Sequence, residues 1–256
     1  MKAMIFAAGL GTRLRPFTLT APKALYPLNG KPLLYWTVRK LKESGTVDEI
    51  VVNVHHFASR IVDYMRSEEF LSMSEGLGVN VSDESGCLLE TGGGMLHAEK
   101  YLAGGRFLMY NADIVSNADL SALCASHDDA SLATLLTSHR QTGRYLLFDD
   151  EMCLCGWYNA VTGEVRSPHA GLDPSGCLKL AFAGIHVASP GIFDAARRLG
   201  FSGKFSITDL YVSACASYRI KGHLQEDLTL ADAGKPENIG KAEGILAGMY
   251  PGRETV

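Results

Sequence analysis

Apolar positions in the first half of the chain switch between two periods. Ala3–Ala7 is a short unbroken apolar run that reads as a buried strand. Pro32 stands at a helix start, and Leu34, Val38 and Leu41 follow at i, i+4 and i+7 before Gly45 ends the turn. Ile50–Val54 returns to strand, Ile61, Val62 and Met65 mark a second helix, and Val79–Val81 is a short strand. Met95, Ala98 and Leu102 fall on one helical face, and Phe107–Tyr110 is strand-like. Leu120, Leu123 and Cys124 mark a helix, and Ala130–Thr137 a further strand. This alternation predicts βαβ units and an α/β fold, a mostly parallel, doubly wound, Rossmann-like sheet with helices on both faces.

The middle of the chain changes character. Tyr145–Phe148, Met152–Tyr158 and Gly163–Arg166 are short runs punctuated by Asp149-Asp150 and Thr162-Gly163, the pattern of hairpins. A small β-rich inserted lid is therefore expected over about 140–180. Ala181–Val187 resumes a strand, Pro190 opens a helix, and Ile207–Tyr218 forms another. Pro236–Met249 closes the pattern with Ile239, Ala242 and Leu246 on one face. No repeat, linker or low-complexity tract interrupts the sequence, so 1–256 reads as a single domain.

Composition narrows the picture. Of 256 residues 46% are hydrophobic and 20% charged, the balance of a chain that buries a core, so disorder is excluded as a description of the whole. A net charge of −4 gives no footprint for nucleic acid or an anionic membrane, and any phosphorylated substrate must be held by a local basic site. No apolar run approaches the roughly 18–20 residues that span a bilayer. Met1–Leu10 resembles a signal peptide only faintly, because Gly11-Thr12-Arg13 follows with no cleavage site. Six scattered cysteines without a C-x-x-C pair read as reduced thiols, which points to the cytoplasm. His55-His56 has no partner at metal-ligand spacing and reads as ordinary loop histidines.

The chemistry gathers after the first strand, in Ala8-Gly9-Leu10-Gly11-Thr12-Arg13. Glycines at a strand's carboxyl end let backbone N–H groups approach a polyphosphate. The string is not a P-loop, and Leu14 stands where a dinucleotide fingerprint needs its third glycine. Arg13, Arg15 and Lys23 follow, suited to phosphate oxygens, although a solvated basic loop would have the same composition. Asp113 and Asp232 each follow or precede elements where an aspartate commonly serves a turn or cap. Three glycines, Gly92–Gly94, enter the helix of Met95; a closely approaching ligand or a flexible loop would each account for them.

The long string from Gly9-x-Gly11-Thr12-Arg13 through Pro22-Lys23 to Gly30-Lys31-Pro32 resembles the signature of the sugar-1-phosphate nucleotidylyltransferases. Glu90-Thr91-Gly92-Gly93-Gly94 resembles the second nucleotide loop of the branch that contains the N-acetylmuramate-1-phosphate uridylyltransferases. Asn111-Ala112-Asp113, Phe182–Val187 and Asp232-Ala233-Gly234-Lys235-Pro236-Glu237 resemble further family strings. The resemblance implies a glycosyltransferase-A-like sheet and the reaction of an NTP with a sugar-1-phosphate to give an NDP-sugar and pyrophosphate. UTP and N-acetylmuramate-1-phosphate are the expected pair, and Mg²⁺ the expected cofactor. It further implies Arg13 and Lys23 as catalytic residues and Asp113 and Asp232 as metal ligands. Ala8, Gly9, Leu10, Gly11, Thr12, Arg13, Glu84, Glu90, Thr91 and Gly92 would bind nucleotide, and Asn111 and Gly184 sugar. A monomer or small homo-oligomer is expected.

The sequence departs from the family pattern at Ala112, where glycine is usual, and at Lys235, where threonine is usual. The family's Glu-Lys-Pro sugar string is missing. Mannose- or heptose-1-phosphate guanylyl transfer is the alternative within the family. A catalytically silent nucleotide-sensing or assembly subunit is the alternative outside catalysis, disfavoured by the joint retention of Arg13, Lys23, Asp113 and Asp232.

Overall fold

A computed structural model describes residues 1–251, and its contacts divide the chain into two compact units. The first comprises Met1–Leu88, Met109–Ser121 and the segment from Leu228 onward; the second comprises Leu89–Leu108 and Ala122–Asp227. No helix among the described residues is long and apolar enough to cross a membrane.

The first unit holds three parallel strands. Glu49–Val54 lies in the middle, pairing with Lys2–Phe6 on one side and with Gly78–Asp83 on the other. Its residues Ile50, Val51, Val52 and Val54 are fully buried, as expected of a strand covered on both faces. The helix Leu33–Glu43 starts just after Pro32 and buries Leu34, Val38 and Leu41, the predicted stripe. Two short strands, Ile114–Ser116 and Leu230–Asp232, pair antiparallel. They pack with Leu28, Leu33, Trp36 and the helix Ile239–Met249 in one apolar cluster, through Val115, Ala231, Ala242 and Leu246.

The second unit's pairings are mostly antiparallel. Leu178–Ala188 pairs with Arg144–Phe148 and with Ala133–Ser138, and Arg144–Phe148 with Leu154–Asn159. Val165–Arg166 adds a last short strand beside Leu154–Asn159. The hairpins expected over about 140–180 are therefore present, and the pairing Leu178↔Phe148 makes them continuous with this unit's sheet.

Two expectations need correction, and one strand was not expected. Met95, Ala98 and Leu102 are all buried but do not share one helix: Glu90–His97 ends at Ala98 and Glu99–Leu102 follows as a separate turn. Ile207–Ala214 stops four residues short of Tyr218. Ile220–Leu224, which pairs in parallel with Ala133–Ser138, is a strand the pattern did not announce. Its central residues are only half buried, so no apolar run marks it.

Candidate active site

The glycine loop leaves the sheet at a defined point. The ladder between Lys2–Phe6 and Glu49–Val54 ends at the pair Phe6↔Asn53. Ala7 and Ala8 lie beyond it and remain buried, so their N–H groups need other acceptors. Both find the side-chain oxygen of Asn53, at 2.7 and 3.2 Å. Gly11 then turns with φ 62°. A Cβ there would lie 2.8 Å from Cβ of Lys23 and 2.9 Å from Cγ2 of Thr18, so only glycine lets the loop fold onto Lys23. The Thr18 hydroxyl donates to the Gly11 carbonyl at 2.9 Å, closing the turn.

Charged groups converge next to this loop. The Lys23 ammonium contacts Asp113 Oδ2 at 2.5 Å, both side chains being largely buried. Arg13 approaches Asp232 Oδ2 at 3.5 Å and Lys235 the same oxygen at 3.9 Å. The two aspartates meet because Ile114 pairs with Asp232 in the short antiparallel ladder and the Ala233 N–H donates to the Asp113 carbonyl at 2.8 Å. Gly234 leaves the space between them open. A Cβ on it would fall 2.7 Å from Asp113 Oδ2, 3.0 Å from Asp232 Oδ1 and 3.4 Å from an Arg13 nitrogen.

The electrostatics differ between the two carboxyls. Burial pushes Asp113 up, but the Lys23 ammonium, its hydrogen bond and the Arg13 charge outweigh it and hold the group below the ordinary range. Burial and then the neighbouring Asp113 charge push Asp232 up, only partly offset by Arg13. Two carboxylates facing a gap that a Cβ would fill form a hard oxygen donor set, which suits a divalent cation such as Mg²⁺.

Glu84 is 3% exposed, and its Oε1 accepts from the Asn53 side-chain nitrogen at 2.8 Å. It therefore touches the loop through Asn53. Asn111 ends the strand Phe107–Asn111, beside Ala112, whose N–H donates to the Phe6 carbonyl at 3.2 Å. His55 and His56 each face a backbone carbonyl, of Glu84 and Thr18, as ordinary loop histidines do.

The remaining expected residues lie in the second unit. Glu90 adopts φ 60°, unusual for a non-glycine residue, and pairs with Lys204 at 3.5 Å. The Thr91 hydroxyl accepts from the Ile207 N–H at 3.0 Å. Gly92 and Gly93 sit inside the helix Glu90–His97, and both N–H groups donate to the Phe205 carbonyl, at 2.9 and 3.3 Å. A Cβ on Gly92 would lie 2.2 Å from the Phe205 ring, and one on Gly93 2.0 Å from the Gly203 carbonyl. The closely approaching group that explains these glycines is thus the chain's own segment 203–205. Gly93→Ala should cost about 1–3 kcal/mol, read as a fall of several degrees in melting temperature. Gly184, with φ 74°, occupies the irregular stretch between the pairs of Phe182 and His186.

The loop residues Ala8–Arg13, Lys23, Glu84, Asn111, Asp113 and Asp232 therefore belong to the first unit, and Glu90, Thr91, Gly92 and Gly184 to the second. Sequence reasoning missed Asn53, although a polar residue within Ile50-Val51-Val52-Asn53-Val54 was a visible signal. Lys204 and Phe205 carried none.

Residues 2–145 match the family described as Nucleotidyl transferase. The chain is 32% identical over 253 residues to the N-acetylmuramate alpha-1-phosphate uridylyltransferase of Caulobacter vibrioides, covering 96% of both chains. It is 33% identical over 196 residues to the protein of that name from Neisseria meningitidis serogroup B, covering 76% of this chain and 78% of that one. The UTP-bound UGPase of Acinetobacter baumannii superposes with a TM-score of 0.78 at 17% identity, over 98% of this chain and 94% of that structure.

Proposed function

From the chain's membership of the nucleotidyl transferase family, as a sugar-1-phosphate nucleotidyltransferase, we propose that it joins UTP to N-acetylmuramate-1-phosphate, releasing pyrophosphate. The two uridylyltransferase relatives support the choice of substrates. The convergence of Lys23, Arg13, Asp113 and Asp232 around Gly234 supports active chemistry over a silent subunit.

In this reading an oxygen of the sugar phosphate attacks the α-phosphorus, and the bond from that phosphorus to the oxygen bridging the β-phosphate breaks. The attacking oxygen is already anionic, so no general base is required. The obstacles are alignment and charge repulsion, which positioned cations address. Lys23, whose ammonium lies alongside Gly9, holds the sugar phosphate and the α-phosphate together. Arg13 and the amides of Leu10–Thr12 take the departing pyrophosphate. Asp113 and Asp232 would hold Mg²⁺, which when bound neutralises charge on the α-phosphate. Glu90, Thr91 and Gly92 serve the nucleotide, Asn111 and Gly184 the sugar, and residues 1–256 act as one catalytic domain.

The test is a matrix of nucleoside triphosphates against sugar-1-phosphates with Mg²⁺, scored by pyrophosphate release. UTP with N-acetylmuramate-1-phosphate should give the strongest signal. A stronger signal from GTP with mannose- or heptose-1-phosphate would replace the substrates, and a blank matrix from folded, nucleotide-binding protein would favour the silent subunit.

A further inference from the structure

We infer that Asn53 is a positioning residue for the nucleotide loop and that Glu84 sets the orientation of its amide; this rests on the reading of Ala8–Arg13 as the loop that holds the nucleotide. Asn53 interrupts the apolar run Ile50–Val54 of its strand and is 2% exposed. A buried carboxamide is tolerated only when both of its ends are satisfied. Here each end has a separate task. Oδ1 accepts from two consecutive N–H groups, of Ala7 and Ala8, and Nδ2 donates to Glu84 Oε1.

The position in the sheet explains what this does. Phe6↔Asn53 is the last pair of the ladder, and the Asn53 side chain supplies the acceptor that the next step of backbone would have offered. Two successive N–H groups drawn onto one oxygen fix the peptide plane between Ala7 and Ala8. They thereby fix the direction in which Gly9 leaves the strand. A flipped amide would set its NH₂ against two N–H donors. The Glu84 oxygen, an acceptor facing Nδ2, disfavours that flip. Glu84 is itself held in place, its N–H donating to the Val54 carbonyl at 2.8 Å. A short hydrogen-bonded relay thus runs from the end of Glu49–Val54 to the first residue of the loop.

The pair can be exchanged to test it. In Asn53→Asp the donor between the two side chains is lost and two carboxyl groups face one another. The Kd of UTP, measured by calorimetry on the full chain with Mg²⁺, should rise about tenfold or more, while KM for the sugar phosphate stays within about twofold. Adding Glu84→Gln restores a donor in the opposite sense and leaves an oxygen for Ala7 and Ala8. The double variant should return to within about threefold of wild type, a coupling that independent destabilising changes would not show.

A double variant no better than Asn53→Asp, or equal losses in UTP binding and in sugar-phosphate KM, overturns the inference. Should Asn53→Asp not fold, Glu84→Ala leaves Asn53 in place with no side-chain oxygen on its nitrogen, and an unchanged Kd there overturns it equally. Wild-type protein that binds UTP yet releases no pyrophosphate would overturn the proposed reaction and leave this binding test intact. A chain that binds no UTP overturns both.

Discussion

Lys23→Met should lower kcat/KM by about 10²–10³-fold, the scale on which a single positioned donor acts on developing charge. It should also destabilise the fold, because it strips the ammonium from a carboxylate only 13% exposed. Leaving a buried charge unpaired in this way costs about 3–5 kcal/mol. The pH dependence gives the sign. In the wild type Asp113 is held below the ordinary carboxylate value of 3.8, so its ion pair adds stability above that pH and loses it as pH falls through the lower folded value. In the variant both Lys23 contributions are gone and burial, the largest influence on the group, dominates over Arg13, so Asp113 titrates higher and stability declines as pH rises. Urea denaturation should therefore show the widest gap between the two proteins near neutrality and convergence in acid. Adding Asp113→Asn to Lys23→Met should recover stability without turnover. A Lys23→Met protein with wild-type kcat/KM would refute the catalytic assignment.

Asp232→Asn should separate activity from stability in the opposite direction. Asp232 is raised above 3.8 by burial and by Asp113, so at neutral pH the folded chain bears the cost of keeping it charged. Below the ordinary carboxylate range that cost is absent, and it is fully present above the raised folded value. The amide removes the charge and can keep the acceptor role that Asp232 Oδ1 serves for the Gly234 N–H at 3.0 Å. Without divalent metal at pH 7, Asp232→Asn should melt at a higher temperature than wild type, with the difference vanishing toward pH 4. Its turnover should fall by about 10²-fold or more. Added Mg²⁺ should raise the melting temperature of the wild type by mass action and leave the variant nearly unmoved. A variant that melts lower than wild type in chelator would show that the Arg13 contact outweighs the repulsion. An equal Mg²⁺ response in both proteins would remove Asp232 from the metal site. Sites built to hold charge together commonly trade stability for function in this way.

Both predictions turn on contacts that local sequence could not supply, and the division between what was legible and what was not follows chain distance. The central strand Ile50–Val54, the stripe Leu34, Val38 and Leu41, the glycine loop with its cations and the hairpins after Gly143 were readable from the chain. Periodicity and turn chemistry are written by neighbouring residues, and the structure repeats them nearly residue for residue. The family strings likewise pointed to Lys23, Asp113 and Asp232. Ala98 broke a predicted helix because buried apolar residues can share a core without sharing a helical axis. Gly92 and Gly93 record only that something comes close, and the atoms a side chain there would meet belong to Phe205 and Gly203, far along the chain.

What the sequence determined by itself was the α/β class, the loop that leaves the first strand, and which residue types are present for phosphate chemistry. The tertiary structure alone decided that Asp113 faces Asp232 across Gly234, that Lys23 rather than Arg13 neutralises Asp113 most closely, and that Asn53 carries the ladder beyond its end. Propensity acts over a few residues along the chain. The sign and strength of a charge interaction depend instead on distance and burial, which exist only once segments far apart in sequence have packed together.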